Sequence, residues 1–544
     1  MALNSSNKVD IDEENKPKLG LGNWNVYFLI KFFLFWKDYI ALHPLQNLAF
    51  AAFLLIPIKS RFLYLLRQWL AVPLGVVLFY YDSWLPPFHR VLSEAALMKS
   101  FDAAYMLELI NRFVDVDVLA LLVIIWVAYL LIGHYVRLGV LVVGYLIFMS
   151  MPLDAWLSQF GSEAVVSTQQ AEAGQASLPI QSEEETINQY LSNFYAQEKL
   201  RKAEFVEPSS ADIPFDILFI HLCSVSWEDL QYANQEDEIP LFDILLSNFS
   251  TAASYSGPAA IRVLRAGCGQ SAHRDLYSDT DAQCYLFDSL RRIGFESELV
   301  MNHDGHFDDF VGVIQGSGRL NVPPMPLDGL PAPLRSFDGT PIYHDLETLE
   351  RWLSLREQKQ APRVAALYNS ISLHDGNRYT DHRSNMNSTE NFVPRMQGLL
   401  TELKAFLQRL QASGRRVLVV MVPEHGAAIR GDKMQIAGLR EIPSPAIALG
   451  PAGLRLIGPE IKPPLNPIRV DKPTSYFDIS EMVARLLQAN PFAKDGYDPV
   501  ALVKGVQGTE FVAENAGTVV LRHQGKYYVR LEGSDEWVDY PAGG

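Results

Sequence analysis

Apolar positions are spread very unevenly along this chain. Long apolar runs occupy about 24–40, 41–58, 66–84, 117–133 and 138–156, and the rest alternates short apolar stretches with polar turns. Leu119 to Ile132 carries no charge, and neither does Leu138 to Met151. Each approaches the ~20 residues a helix needs to cross a bilayer, so both read as spans. The first run contains Lys31, Lys37 and Asp38 and either spans or lies along the interface. The pattern predicts a transmembrane helical domain of four to five spans over 21–156, after a polar, disordered cytoplasmic tail over 1–20. Lys59, Arg61 and Arg67 flank the start of the third run, after the second, and Arg137 lies between the fourth and fifth. Placing both turns in the cytoplasm satisfies the positive-inside rule. The stretch 86–114, with Glu94, Asp102 and Glu108, is then an amphipathic segment outside, and everything after Trp156 is outside as well.

Residues 157–208 are rich in Ser, Gln, Glu and Ala. They read as a linker that becomes helical near Glu183–Glu204. From 209 onward strand and helix patterns alternate. Strand-like runs are 217–222, 297–301, 363–373 and 416–422; helical patterns cover 259–264, 285–293, 346–357, 392–412 and 479–488. That alternation predicts an α/β catalytic domain over 209–544 with a mostly parallel sheet. The stretch 518–540 reads as a small β appendage. Open α/β sheets form their sites beyond the carboxyl ends of the strands. Cys223, His303, His374 and the pair Glu424-His425 all fall just after strand-like runs.

Charge and cysteine content narrow the picture. A net charge of −16 excludes a long phosphate-binding face and argues against nucleic acid as a partner. Of three cysteines, Cys268 and Cys284 frame a polar, turn-rich loop that a disulfide could close in an oxidising compartment. The alternative is three reduced thiols. Cys223 is the odd one out.

Thiolate, carboxylate and imidazole together suit zinc better than magnesium or calcium. Cys223, Glu424 and His425 are therefore candidate ligands, against the plainer reading of Glu-His as a polar turn capping a strand. Ser256 precedes Gly257-Pro258, and Pro258 suits the first turn of a helix. Ser256 then sits at a helix N-terminus that favours phosphate, and a nearby metal would make it a nucleophile. The alternative is an ordinary capping serine, and Ser254 is its rival. His374 and His303 each open a His-Asp-Gly turn and either could donate a proton. Arg440 could hold a phosphoryl oxygen, and Tyr255 could line the site.

Four blocks carry a resemblance: Cys223-Ser-Val-Ser-Trp, Ser254-Tyr-Ser-Gly-Pro-Ala-Ala-Ile-Arg-Val-Leu-Arg-Ala-Gly-Cys-Gly-Gln, Leu373-His-Asp-Gly-Asn and Val422-Pro-Glu-His-Gly. Together they resemble the bacterial cellulose phosphoethanolamine transferases, the G subunit of the cellulose synthesis system, over nearly the whole chain. The resemblance implies an inner-membrane, multi-pass protein whose periplasmic domain is an alkaline-phosphatase-like α/β sandwich. It implies transfer of phosphoethanolamine from phosphatidylethanolamine to the glucose 6-hydroxyl of nascent cellulose, alongside the other synthase subunits. Cys223, Glu424 and His425 match the zinc ligands, and Ser256 matches the nucleophile and fourth ligand position. His374, Tyr255 and Arg440 match supporting positions, and Cys268–Cys284 matches the family's disulfide. Lipid A transferases carry Glu, Thr and Asp-His where this chain has Cys, Ser and Glu-His, which argues against lipid A as acceptor. The alternatives are a phosphoglycerol transferase, sulfatase or phosphatase of the same superfamily, or a scaffold without chemistry.

Overall fold

The computed structural model describes residues 20–37, 39–83, 88, 99, 101–113, 116–132, 135–151, 183–209, 212–236, 241–462, 466–493 and 497–541. Most of the predicted tail over 1–20, Glu94 and the first half of the predicted linker lie outside them. The chain divides into two units, one of residues 1–86 and 111–179, the other of 87–110 and 180–544.

The first unit contains helices Trp24–Trp36, Pro44–Leu55, Arg61–Asp82, Val116–Ile132 and Leu138–Ser150. Phe28, Phe50, Leu54, Ala71, Val142 and Leu146 form its core. Lys31, whose charge weakens the case for a first span, is buried against Asp82 and donates to Asn47 Oδ1 at 2.7 Å. Among the described residues one helix, Arg61–Asp82, is long and apolar enough to cross a membrane, and four apolar helices are shorter. Among the described residues, the two stretches that read most clearly as spans are helical over 17 and 13 residues. At about 1.5 Å per residue these reach roughly 20–26 Å, against a hydrocarbon core of about 30 Å.

The second unit is α/β, as the alternating pattern predicts. Its strands are β1 (Asp216–Leu222), β2 (Ile244–Ser250), β3 (Glu296–Met301), β4 (Leu334–Arg335), β5 (Pro341–Ile342), β6 (Val364–Ser370), β7 (Arg378–Tyr379), β8 (Val417–Pro423), β9 (Leu449–Ile457), β10 (Ile468–Val470), β11 (Val512–Asn515), β12 (Thr518–His523), β13 (Lys526–Arg530) and β14 (Val538–Tyr540). Seven form the main sheet in the order β10-β2-β9-β8-β1-β6-β3. Its pairings are parallel except those of β9, which runs antiparallel to β2 and β8. Successive β1 residues alternate between two cores: Ile217 and Phe219 join one, Leu218 and Ile220 the other. Helices Ser256–Leu264 and Tyr476–Ala489 cover the first face, and Asp345–Gln358 and Phe392–Ala412 the second. Burial on both faces explains why these strands are continuously apolar rather than alternating.

The end of the chain forms the four-stranded antiparallel sheet β11-β12-β13-β14, beginning before the predicted appendage. Ile187, Leu191 and Phe194 of helix Glu183–Glu198 pack against its Val512, Val519, Leu521 and Tyr528. That helix, read from sequence as the end of a linker, is thus part of this unit.

Candidate active site

Parallel register brings the first residues together. Leu222, the last residue of β1, pairs with Pro423 at the end of β8 and with Ser370 at the end of β6. Cys223 and Glu424 therefore leave the sheet side by side. His221, one residue back on β1, pairs with Asn369 of β6. Ser256 arrives from the other side of β9, as the first residue of the helix after β2.

The ligand atoms of Cys223, Glu424 and His425 lie within 4.8 Å of one another, and all three residues are buried. Cys223 Sγ is 3.8 Å from His425 Nε2 and 3.6 Å from Ser256 Oγ, and Ser256 Oγ is 3.2 Å from His425 Nε2. His425 Nε2 is 3.9 Å from Glu424 Oε2. Four ligands about a tetrahedral zinc, at about 2.0–2.3 Å each, stand roughly 3.3–3.8 Å apart. His425 Nδ1–H donates to the carbonyl of Gly426 at 2.9 Å, which leaves the Nε2 lone pair facing the cluster. Glu424 accepts from Asn369 Nδ2 through Oε1, while its buried Oε2 has no hydrogen-bond partner. An orphaned carboxylate oxygen is costly in a site closed to water.

Electrostatics point the same way. Burial, with the Glu424 carboxylate nearby, pushes the Cys223 thiol up to about 12. Burial raises the Glu424 carboxyl, and burial with the Arg440 charge drives His425 well below its usual range. Each shift expresses the cost of carrying a charge on a thiol, a carboxyl or an imidazole in so dry a space. A zinc-type ion would answer it, and the S/O/N donor set fits one. Arg440 is buried beside the cluster with its Nε and Nη1 unpartnered, and its guanidinium lies 5.3 Å from the Tyr255 ring centroid. The Tyr255 hydroxyl donates to Glu441 Oε1 at 2.8 Å. The contacts to Cys223 and His425 come from Ser256, while the rival Ser254 hydroxyl is buried without a hydrogen-bond partner.

His374 stands in the turn after β6. Its Nδ1–H donates to the Asp375 carbonyl at 2.7 Å, and burial together with Arg440 lowers its pKa to about 4. The ring is therefore neutral at pH 7, with a lone pair on Nε2 that can take up a proton and pass it on. His303 is not placed to donate to a substrate. Its Nε2–H donates to Asn369 Oδ1 at 2.8 Å, and its Nδ1 accepts from Gly305 N–H at 3.1 Å. Both ring nitrogens are committed, and the residue orients Asn369 instead. Cys268 and Cys284 form the expected disulfide.

Known families match both halves of the chain. Residues 24–151 match the family described as "Cellulose biosynthesis protein BcsG N-terminal domain", and residues 170–537 match its C-terminal domain. The chain belongs to the BcsG family. The cellulose biosynthesis protein BcsG of Salmonella typhimurium is 40% identical over 545 residues, covering 96% of either chain. The BcsG of Escherichia coli K12 is 39% identical over 551 residues, again with 96% of each chain covered. Among solved structures, the C-terminal periplasmic domain of EcEptC from Escherichia coli in complex with Zn overlaps at a TM-score of 0.41 and 14% identity, covering 58% of this chain and 93% of that one.

Three supports of this BcsG-family site escape a reading by motif. Asn369 and His221 are inside strands, where polar residues are easily read as incidental. His221 Nδ1 lies 3.4 Å from Glu424 Oε1, and burial lowers its pKa to about 3. Asp229 accepts from Ser226 N and Oγ and from Ala427 N at 2.8–2.9 Å, tying the loop after β8 to the start of helix Trp227–Tyr232. The capping box Ser226-x-x-Asp229 was the legible signal.

Proposed function

We propose that this chain is a zinc-dependent phosphoethanolamine transferase of cellulose biosynthesis, anchored in the bacterial inner membrane by several helices, with its catalytic domain in the periplasm. The donor is phosphatidylethanolamine and the acceptor is the glucose 6-hydroxyl of cellulose, delivered by the synthase subunits. The observation that carries the reading is the convergence of Cys223, Ser256, Glu424 and His425 at ligand spacing, beside Arg440 with its Nε and Nη1 unpartnered. Family membership and a periplasm-compatible disulfide support it, as does a sheet whose strand exits carry the site, in keeping with an alkaline-phosphatase-like fold.

Zinc, when bound, would acidify the Ser256 hydroxyl and draw charge from the phosphoryl oxygens. In the first half-reaction Ser256 Oγ forms a bond to phosphorus and the bond to the diacylglycerol oxygen breaks. The proton lost by Ser256 and the proton gained by the leaving alkoxide balance, and His374 Nε2 is the group that moves it. In the second half the acceptor hydroxyl attacks the phosphoserine, its proton passes to Nε2, and Ser256 recovers its hydrogen on release. Arg440 holds the phosphoryl oxygens through its unpartnered N–H groups, and the Tyr255 ring packs beneath that guanidinium.

The test uses full-length protein in nanodiscs with phosphatidylethanolamine labelled in its head group and a soluble cello-oligosaccharide. Label appearing on the sugar, and lost in Arg440→Ala and His374→Ala, supports the proposal. Label released only to water would turn the reading toward a hydrolase.

A further inference from the structure

The stretch 101–113 lies in sequence between apolar helices, yet residues 101–108 build on the turn that carries His374. The Asp102 N–H donates to the Phe337 carbonyl at 2.8 Å. The Phe337 ring stands 5.1 Å from Phe101, 5.8 Å from Tyr105 and 5.2 Å from the His374 ring. The Tyr105 hydroxyl donates to Asp375 Oδ2 at 2.9 Å. The Tyr105 ring presses on Gly376: a Cβ built there would lie 2.9 Å from Tyr105 Cε2, and Gly376 adopts φ +82°. Glu108 pairs with Arg378 Nη2 at 2.8 Å and accepts from the Ser388 N–H at 3.2 Å, while the Ser388 hydroxyl, with one proton to give, lies against both Glu108 Oε1 and Asp375 Oδ1, the latter at 2.8 Å. Arg395 closes the turn from the other side, donating to the carbonyls of Ser372 and His374 at 2.8 and 2.9 Å.

We infer that Tyr105 and Glu108 are positioning residues for transfer, acting through Asp375, Gly376 and Arg378 to hold the His374 imidazole. The reasoning is steric and electrostatic. Asp375 supplies the carbonyl that fixes the His374 tautomer, and its carboxylate accepts from Tyr105 and shares the Ser388 hydroxyl with Glu108. Residues 374–378 form the short segment to which this stretch bonds. Without Tyr105 and Glu108 the metal-ligand cluster keeps its own supports, because Asn369, His303 and Asp229 belong to other elements. Loss should therefore fall on proton transfer rather than on metal binding.

The inference rests on the transferase reading, and its test separates the two. Full-length Glu108→Gln, Tyr105→Phe and Tyr105→Ala are compared with wild type and His374→Ala on two donors. One is phosphatidylethanolamine, whose alkoxide leaves only with a proton. The other is the nitrophenyl ester of phosphoethanolamine, whose nitrophenolate leaves without one. The expected result is a fall of about tenfold or more on the lipid donor, since small misplacement of a general acid costs that much. Loss on the nitrophenyl donor, read as single-turnover nitrophenolate release, is clearly smaller, because only the Ser256 proton then has to be taken up and none given to the leaving group; zinc content stays at the wild-type level, and Tyr105→Phe retains more activity than Tyr105→Ala. Equal loss on both donors overturns the inference. Amide exchange over 372–379 is the second arm: Glu108→Gln should speed it about tenfold while leaving 221–225 and 423–426 unchanged. Unchanged exchange at 372–379 overturns the inference whatever the activities. If wild type transfers from neither donor, the transferase reading fails, and the exchange arm still decides whether this stretch holds the turn.

Discussion

Gly426→Ala is the smallest perturbation that should damage the site through packing alone. A Cβ at position 426 would lie 2.7 Å from Ser226 Oγ, 2.8 Å from Ser226 Cβ and 3.0 Å from Asp229 Oδ2. Ordinary contacts stand at about 3.5–4.0 Å, so the loop must shift by roughly half an ångström or more. It has little freedom to do so. The Gly426 N–H donates to Ile447 O at 2.7 Å, Val225 N–H donates to His425 O at 2.8 Å, and Ala427 N–H donates to Asp229 at 2.9 Å. The strain should cost about 1–3 kcal/mol. Because Glu424 and His425 are on the displaced loop, metal affinity should fall as well, by about 10–100-fold. Ser226→Gly removes the two shortest contacts. The double variant should therefore recover at least about 1 kcal/mol relative to the sum of the single changes. The assays are thermal unfolding of the full-length protein with and without zinc, and zinc titration against a chromophoric chelator. A Gly426→Ala protein within about 0.5 kcal/mol of wild type, with undiminished zinc affinity and no coupling to Ser226→Gly, would refute the reasoning.

Three further outcomes are expected. Asn369→Leu removes the donor to Glu424 Oε1 and the acceptor of His303 Nε2–H, and should lower zinc affinity about 10–100-fold in the same chelator competition with little change in fold by circular dichroism. Zinc binding should strengthen with pH: burial holds the Cys223 proton on to about pH 12, so the metal must displace it, and apparent affinity should rise about tenfold per pH unit for each proton released. Calorimetry in buffers of differing ionisation enthalpy counts those protons, and a count of zero at pH 7 contradicts the thiolate assignment. Replacing Cys268 and Cys284 together by Ser opens a loop of sequence separation 16 and should cost about 3 kcal/mol in chemical denaturation, leaving zinc stoichiometry intact.

The strand exits were legible because β1 and β8 are buried on both faces, so their apolar runs end abruptly at Cys223 and Glu424. The helix over 392–412 was legible to its boundaries because its amphipathic repeat is long and no strand pattern competes with it; Pro394 falls in the first turn, where proline is tolerated. The antiparallel strand β9 was hidden. Its Leu449-Gly-Pro-Ala-Gly stretch looks like a loop, and the glycines are there for close approach: a Cβ at Gly453 would sit 2.1 Å from the Ile244 carbonyl. Proton roles were only half legible. His374 and His303 share the same His-Asp-Gly turn, and only tertiary neighbours separate them: Asn369 and Gly305 occupy both nitrogens of His303, while one nitrogen of His374 stays available.

The most direct test of the central claim is the intact mass of the zinc-loaded protein after exposure to phosphatidylethanolamine without an acceptor, for wild type and Ser256→Ala, with and without a chelator. The account predicts a phosphoethanolamine adduct on wild type alone, mapped to Ser256 and abolished by the chelator. An adduct of equal yield on Ser256→Ala, or one indifferent to metal removal, would contradict it.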